Sequence, residues 1–262
     1  MSYDGGVIQK DLNFTVNRND IFIIMGNSGS GKSTLMRTMS GLHEPDQGDV
    51  FYNCTSVSGE SVSGESVADK GSHQGFWQAS DKLRRNIMTQ FGVMFQNGAL
   101  FSSMTLLDNV SLRLAQTTRY SAGRIRKIAS LKLALVGLKG FEHYYPAEIS
   151  GGMQKRVGIA RAMAMDPPIL FFDEPSAGLD PLSSKLLDDL LLELRDSMGI
   201  TMVVVTHELD SIFSIANNSI FLDHEQQTII AHGDPKTLLA ENRNSQVQAF
   251  LTRGKESASS KE

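Results

Sequence analysis

The stretch with the clearest chemical potential is GNSGSGKS at residues 26–33, which fits the pattern G-x-x-x-x-G-K-[ST]. Its glycines allow backbone angles that point successive N–H groups at one centre, and the start of a following helix completes an anion nest. Lys32 would reach the outer phosphates of a nucleotide, Ser33 would bind Mg²⁺, and Thr34 could reach the α-phosphate. The alternative is a chance glycine-serine turn, but the apolar run before the motif and the helical pattern after it favour a phosphate site.

Two acidic residues follow a second apolar run. Asp173 and Glu174 come directly after ILFF at 169–172. An aspartate at such a strand end can hold the Mg²⁺ shell, and a glutamate one residue further on can orient a water molecule and take its proton. Alone, Asp-Glu-Pro would indicate only the start of a loop. Beside a phosphate-binding motif, the catalytic interpretation is favoured.

Two more polar residues follow apolar runs. His207 comes shortly after TMVVV at 201–205, and Gln96 directly after residues 91–95. The histidine ring could contact a terminal phosphate, and the glutamine could sense Mg²⁺ and the attacking water. A lone histidine is more often structural or exposed, and a lone glutamine means little, so both hypotheses depend on the phosphate motif.

Strands must bring these residues to one place. The runs IFIIM, ILFF and TMVVV (21–25, 169–172 and 201–205) are apolar throughout, and each is followed by polar residues and a helical pattern. This indicates an α/β fold with a parallel sheet. Ligands of such sheets bind beyond the carboxyl ends of the strands, which is where the polar residues above are predicted to lie.

Other segments complete the predicted order of elements. Helices are expected at 35–39, 81–89, within 105–145, and at 153–165, 182–198, 235–241 and 245–252; strands at 48–52 (on a smaller sheet), 91–95, 219–222 and 228–231. Residues 53–80 contain the unit SVSGE twice from Ser56 and carry few apolar side chains, which predicts a surface loop. A partner-binding or regulatory loop is the alternative.

Composition limits the classes of protein. The 262 residues carry a net charge of −4, so no nucleic-acid partner is expected. The single cysteine, Cys54, excludes an internal disulfide and favours a reducing compartment. The N-terminus lacks a signal-peptide pattern, and no apolar run approaches the about 18 residues of a membrane span. We expect a soluble protein that would work at a membrane only through a partner.

Together the motifs resemble those of the ATPase subunits of ABC transporters, over nearly the whole chain. Besides the motifs above, SGGM at 150–153 resembles the family's signature and SAGLD at 176–180 its D-loop. The resemblance implies a P-loop NTPase fold with a mostly parallel central sheet, a small antiparallel β subdomain and a helical subdomain. It implies an ATPase domain over 1–240, with the helical subdomain at about 97–165 and a loop insertion at about 53–80. A C-terminal helix and polar tail would follow at 241–262.

The resemblance also assigns roles to residues. It implies ATP hydrolysis with Mg²⁺, with Lys32, Gln96, Glu174 and His207 catalytic and Ser33, Gln96 and Asp173 at the metal. The residues implied to contact nucleotide are Tyr3, Gly26, Asn27, Ser28, Gly29, Ser30, Gly31, Lys32, Ser33, Thr34, Gln96, Ser150, Gly151, Gly152 and Asp180. Tyr3 would stack on adenine. The family has a strand before this aromatic residue. In this sequence either that strand is missing or the start at Met1 is placed too late to include it.

The family works as a head-to-tail dimer, so a homodimer is implied. Each signature loop then faces the γ-phosphate held by the other subunit. The hydroxyl of Ser150, the backbones of Gly151 and Gly152 and the following helix dipole would form a second anion site. An isolated subunit is therefore expected to hydrolyse ATP slowly.

Two features resemble the ATPases of MCE/Mla-type (toluene-tolerance type) phospholipid transporters: FQNGALFSSMTLLDNV at 95–110, in which GALF (98–101) follows Gln96, and Met153 in the signature. The tail at 231–254 is also similar to theirs. This implies permease subunits contacting residues near 96–110, an MCE-domain lipid-binding protein, a small regulatory subunit, and a peripheral place on the cytoplasmic side of the inner membrane. The alternatives are the ATPase of another importer, for a small polar solute such as an amino acid, and a soluble ABC ATPase without a permease. A non-catalytic regulator is disfavoured because Lys32, Asp173, Glu174 and His207 are all present.

Overall fold

The structure is a computed structural model and describes residues 1–3, 6–52, 75–96, 99–241 and 243–259, with the side chains of residues 2, 3 and 253–259 outside the described part. Its elements are β1 (Ser2–Tyr3), β2 (Gly6–Val7), β3 (Ile21–Gly26), α1 (Lys32–Met39), α2 (Asp81–Met88), β4 (Phe91–Met94), α3 (Leu106–Thr117), α4 (Ala122–Leu135), a 3₁₀ turn (Pro146–Glu148), α5 (Gly151–Ala162), β5 (Ile169–Asp173), α6 (Pro181–Met198), β6 (Thr201–Val205), α7 (Leu209–Ile215), β7 (Asn218–Asp223), β8 (Thr228–His232), α8 (Pro235–Glu241) and α9 (Ser245–Ser259).

A six-stranded sheet forms the centre, in the order β4-β5-β6-β3-β7-β8. All neighbours pair in parallel except β8, which runs antiparallel to β7. The predicted α/β class and the central strands are confirmed. The order places β3, β5 and β6 side by side, so their carboxyl ends meet at one edge.

The sheet separates two apolar clusters because successive side chains of a strand point to opposite faces. On β5, Phe171 packs into the smaller cluster, which also holds Leu35 and Met36 of α1. Phe172 packs into the larger cluster, formed mainly with helices α3 to α7 and α9. Because apolar clusters cover both faces of the sheet, the side chains on both sides of the central strands are apolar, and the sequences of these strands are continuous apolar runs.

The predicted strand at 48–52 is wrong. Residues 48–52 form no strand. Among the described residues, the small antiparallel sheet beside the main sheet consists of β1 and β2 alone, with two residues each. The carboxylate of Asp49 explains the difference, since it accepts the backbone N–H groups of Val50, Trp77 and Gln78 at 2.7, 2.8 and 3.2 Å. A side chain thus satisfies donors that a ladder would otherwise use. The SVSGE repeat lies outside the described residues.

Buried Asp188 makes the stability of the fold depend on pH. It lies on α6 with 5% exposure, and burial raises its pKa from 3.8 to about 6, while the neighbouring Ser211 hydroxyl lowers the pKa in part. Between pH 3.8 and 6 the folded chain binds more protons here than the unfolded chain, so its stability falls as pH rises. Above pH 6 the ionised form is retained at a constant cost.

Asp188→Asn should therefore stabilise the protein at pH 7.5 by about 1–2 kcal/mol and have little effect near pH 4. Urea unfolding at the two pH values measures this difference. Asp189→Asn is the control for the same chemical change at an exposed side chain, whose contact with Lys185 at 3.4 Å is of small value. Because the Asp189 charge contributes to the raised pKa of Asp188, this variant should give a small gain at pH 7.5, well below that of Asp188→Asn. A gain from Asp188→Asn that is equal at both pH values would contradict the explanation.

Candidate active site

The glycine loop lies between β3 and α1, as the motif predicts. Gly26 has φ 146°, and a Cβ there would stand 2.3 Å from the carbonyl oxygen of Leu222 on β7. Gly31, at φ 85°, precedes α1, and a Cβ there would stand 2.6 Å from Cγ2 of Ile8. Both positions therefore require glycine. One side of the loop packs against Leu222 of β7 and against Ile8. The other side lines the cleft at the N-terminus of α1.

Lys32 lies across this loop. Its ammonium, Nζ, donates hydrogen bonds to the carbonyl oxygens of Gly26 and Asn27, both at 2.9 Å. Burial lowers the pKa of Lys32, and the carboxylates of Glu174 and Asp173 oppose that change by favouring the charged form. The ammonium is thus placed between the phosphate loop and the acidic strand end.

Ser33 and Asp173 bring oxygen atoms together from two elements. The Ser33 hydroxyl donates to Oδ1 of Asp173 at 3.0 Å, and Asp173 is 7% exposed at the end of β5. Such oxygens fit Mg²⁺, which is held by one or two protein ligands together with substrate phosphates and water. Within the described ranges no cluster of three His, Cys, Asp or Glu side chains could hold a metal by itself, and a shared Mg²⁺ site of this kind needs none.

Glu174 is held in an unusual conformation. Its φ is 49°, a left-handed value that a residue with a side chain adopts at a cost. Its backbone N–H donates to the carbonyl oxygen of Val205 at 2.8 Å, and Oε1 lies 2.7 Å from Nδ1 of His207. Oε2 is buried and has no hydrogen-bond partner among the described residues. One carboxylate oxygen is thus fixed by the histidine, and the other remains able to accept a proton.

Gln96 follows β4 and lines the same cleft. Its carbonyl oxygen accepts a hydrogen bond from Nζ of Lys155, which also lies 3.5 Å from the carbonyl oxygen of Glu174. Burial lowers the pKa of Lys155, and the Glu174 carboxylate raises it. Lys155 thus connects α5 with two strand ends, and no sequence motif pointed to it.

These residues surround a cleft of about 660 Å³, which is within the usual size range of small-molecule sites. The predicted residues that line it are Gly26, Asn27, Ser28, Gly29, Gly31, Lys32, Ser33, Thr34, Gln96, Asp173, Glu174 and His207. Ile8, Arg37 and Phe250 also line it and were missed. Helical spacing after Ser33 could have indicated Arg37, but nothing local indicates Phe250, which lies on α9 and far along the chain.

Four predicted nucleotide contacts lie outside the cleft. Ser150 caps α5, its hydroxyl accepting the Met153 N–H at 3.3 Å, and Gly151 and Gly152 begin that helix, which has no acidic residue in its first turn. Asp180 caps α6, and its pKa is lowered chiefly by hydrogen bonds from Ser183. These positions are exposed or half-exposed. Of the other two predicted contacts, Ser30 is a fully buried member of the loop that does not line the cleft, and the side chain of Tyr3 is outside the described part.

Residues 9–177 match a family model described as ABC transporter. The chain belongs to the ABC transporter family. The resemblance predicted from the motifs is confirmed.

Several curated members of this ABC family are similar to the chain. The intermembrane phospholipid transport system ATP-binding protein MlaF of Escherichia coli is 34% identical over 92% of this chain and 81% of its own. The probable ribonucleotide transport ATP-binding protein mkl of Mycobacterium tuberculosis is 33% identical over 95% of this chain. The glycine betaine transport ATP-binding protein OpuAA of Bacillus subtilis is 38% identical over 94%. The chain spans 64% of mkl and 53% of OpuAA.

Solved ABC structures share the fold. A structure of the cassette MJ0796, in a dimeric post-hydrolysis state bound to ADP and Pi, matches with a TM-score of 0.71, 29% identity and coverage of 87% of this chain and 90% of the other. CbiO1 from Clostridium perfringens, part of the transporter complex cbiONQ, matches with a TM-score of 0.77, 26% identity and coverage of 96% and 91%. In the described ranges of the present ABC chain, no helix is both long and apolar enough to cross a bilayer.

Phe101, the last residue of the GALF stretch, borders a second depression of this ABC chain. The depression has a volume of about 400 Å³ and is lined by Val93, Phe101, Leu112, Arg113, Gln116, Thr117, Arg161 and Ala162. Phe101 is 49% exposed, and its backbone is held by the buried side chain of Asn109, through bonds of 2.8 and 3.1 Å. Met153, by contrast, is half-buried against the larger apolar cluster, so it acts at least as a filler of the core.

Proposed function

We propose that this chain is the subunit of an ABC transporter that binds and hydrolyses ATP. The proposal rests on one observation: five residues line a single cleft at the carboxyl edge of the sheet, namely Lys32, Ser33, Asp173, Glu174 and His207. This set provides a phosphate cradle, oxygen ligands for a metal and a carboxylate base, which are the groups that phosphoryl transfer to water requires.

In this proposal the loop amides and Lys32 hold the phosphates of ATP. Ser33 and Asp173, with Gln96, would hold Mg²⁺, which when bound neutralises developing charge on the phosphates. The fit rests on the Ser33–Asp173 contact of 3.0 Å. Tyr3 would contact adenine at the other end of the nucleotide.

Glu174 is proposed as the base that accepts the proton of the attacking water. Because an ionised carboxylate only accepts hydrogen bonds, His207 must donate from Nδ1 to Oε1. That bond orients the carboxylate, and the buried Oε2 has no competing hydrogen-bond partner among the described residues. In the proposed ATP-bound dimer, Oε2 would take the proton of the attacking water. His207 itself is 59% exposed at its side chain, which allows its ring to contact the terminal phosphate.

We propose a head-to-tail homodimer with ATP between two copies. The positions of Ser150, Gly151, Gly152 and Asp180 support it, because they are exposed or half-exposed at the starts of α5 and α6 and do not line the chain's own cleft. An N-terminus with exposed amides and a hydroxyl suits the phosphate of a nucleotide held by another subunit. The similar cassette MJ0796 is described as dimeric.

The transported substrate is proposed to be phospholipid, moved between inner and outer membranes with permease subunits, an MCE-domain protein and a small regulatory subunit, from the cytoplasmic side of the inner membrane. The similarity to MlaF, over 81% of its length, supports this, as does the exposed Phe101 beside a depression suited to a permease segment. The division into an ATPase domain over 1–240, a helical subdomain at about 97–165, an insertion at about 53–80 and a tail at 241–262 belongs to the same proposal. The packing of α3 on α4 and α5 supports it.

A second candidate is the ATPase of an importer for a small polar solute, which the 38% identity to OpuAA favours. Purification of the tagged chain with its membrane partners from native membranes separates the candidates. Phospholipid and an MCE-domain protein in the complex would support the first; a solute-binding protein would support the second. Phe101→Glu should release the membrane partners and leave the chain folded, whereas Tyr120→Glu, exposed but outside the depression, should not. A chain without membrane partners would contradict both candidates and favour a soluble ABC ATPase.

A further inference from the structure

A buried glutamine lies behind the phosphate-binding loop, outside every sequence motif. Gln9 has no solvent exposure. Its side-chain nitrogen, Nε2, donates to the carbonyl oxygen of Ser30 at 2.8 Å and to that of Asp223 at 2.9 Å. The first acceptor belongs to the glycine loop and the second to the end of β7. One amide thus ties the loop to the neighbouring strand.

Both acceptors are carbonyl oxygens, which fixes the orientation of the Gln9 amide. A flipped side chain would place Oε1 against two other oxygens. Oε1 is buried and has no hydrogen-bond partner in the part of the chain that the structure describes. Because such an oxygen reduces stability, an apolar side chain of the same length would fill this position at least as well. The two bonds of Nε2 therefore explain the amide better than packing does.

The carbonyl of Ser30 matters because it shares a peptide unit with the N–H of Gly31. The described peptide bonds are trans, so the C=O and N–H of this unit point in opposite directions. Gln9 and Ser30 are buried and do not line the cleft, whereas Gly29 and Gly31 do. Holding the Ser30 carbonyl on the far side therefore directs the Gly31 N–H into the cleft.

This restraint acts on a loop with little stiffness of its own. Gly29 and Gly31, on either side of Ser30, have φ values of 79° and 85°. Glycine has no Cβ that would restrict rotation of the intervening peptide units. A hydrogen bond from a fully buried side chain supplies the restraint that the glycines lack.

The segment around Gln9 is fastened by bonds that do not involve its side chain. Nε2 of Gln227 donates to the carbonyl oxygen of Val7 at 2.6 Å, and the N–H of Lys10 donates to that of Gln227 at 2.7 Å. The N–H of Gln9 donates to the carbonyl oxygen of Met1 at 3.2 Å. Loss of the Gln9 amide should therefore free the loop without detaching the segment.

We propose that Gln9 is a positioning residue for nucleotide binding, whose amide holds the Ser30–Gly31 peptide so that the Gly31 N–H faces the phosphates of ATP. This inference rests on the proposed ATP-binding function. It concerns affinity more than turnover, because the loop holds the phosphates in the bound state and in the transition state alike. Proton transfer to Glu174 does not involve the loop.

Gln9→Glu tests the inference, because it keeps the shape of the side chain and replaces the donor with an oxygen facing two carbonyls. The Kd for ATP and the KM should rise roughly 10- to 100-fold, with kcat at saturating ATP changed by less than about threefold. Gln9→Met, of equal length but without donor or charge, should raise Kd by about three- to tenfold. If Gln9→Glu fails to fold, the Kd of Gln9→Met for ATP decides the question. A merely structural role would lower the folded fraction, and hence the apparent kcat, with Kd unchanged.

Gln248→Glu is the matched control. Nε2 of Gln248 also donates to two carbonyl oxygens, those of Leu238 and Leu239 at 3.2 and 2.9 Å, between α8 and α9. Its Kd for ATP should stay within about twofold of wild type. Folded Gln9 variants with wild-type Kd, or an equal loss in Gln248→Glu, would overturn the inference while the proposed function stands. A wild-type chain that binds no ATP would overturn both.

Discussion

Glu174→Gln should retain ATP binding and reduce ATP hydrolysis by about 10²- to 10⁴-fold, because removing a positioned general base has effects of this size. Glutamine keeps the length of the side chain but cannot take a proton from water. The contact of Oε1 with His207 at 2.7 Å can be reproduced by the amide oxygen, so the cleft should keep its shape. Phosphate release and nucleotide binding, measured on the same preparation, separate the two effects. In the proposed dimer, the variant should accumulate with ATP bound between closed subunits.

Glu208→Gln is the matched control for this variant. Glu208 is exposed, directly follows His207, and makes no side-chain capping bond to α7. The same chemical change there should leave hydrolysis within about twofold of wild type, as for other surface positions. Normal turnover in Glu174→Gln would show that another residue is the base.

Lys32→Ala should weaken ATP binding by about 10- to 100-fold, since a charged hydrogen bond to phosphate contributes about 1.5–3 kcal/mol. The fold should survive, because among the described residues the ammonium donates to just two groups, the carbonyl oxygens of Gly26 and Asn27. Titration with labelled ATP measures the change directly. Hydrolysis should fall as well, because Lys32 also stabilises charge that develops on the phosphates.

Lys185→Ala controls for the loss of a positive charge. Its ammonium is exposed on α6 and lies 3.4 Å from Asp189, far from the predicted phosphate site in sequence and absent from the cleft lining. ATP affinity should be unchanged in this variant. Unchanged affinity in Lys32→Ala would remove Lys32 from its proposed role.

The sequence predicts which residues meet in the cleft because two strong local rules agree. The motif G-x-x-x-x-G-K-[ST] fixes a loop between a strand and a helix, and the polar residues after apolar runs mark the carboxyl ends of strands. Parallel pairing then brought Ser33 and Asp173 to 3.0 Å although they lie 140 residues apart. The strand order itself depends on long-range packing and was not predicted.

Other features could not be predicted because they arise from single tertiary contacts. The carboxylate of Asp49 replaces a strand ladder at 48–52, which no periodicity reveals. Gln9 carries no motif, and its importance lies in reaching Ser30 and Asp223 at once. Phe250 reaches the cleft from the last helix. Each depends on where a distant segment folds back.

In the proposed dimer, the signature loop at 150–153 would act on the nucleotide held by the other copy of the chain. Ser150 and the two glycines stand at an exposed helix start, while the cleft of the same chain already holds Lys32 and Glu174. The central claim is therefore a shared active site between two copies, with hydrolysis limited by their association.

The most direct test is the rate of phosphate release per subunit, measured over a dilution series with the oligomeric state followed by sedimentation. If the account holds, turnover per subunit falls as the dimer dissociates and approaches zero for the monomer. A monomer that hydrolyses ATP as fast per subunit as the dimer would contradict it.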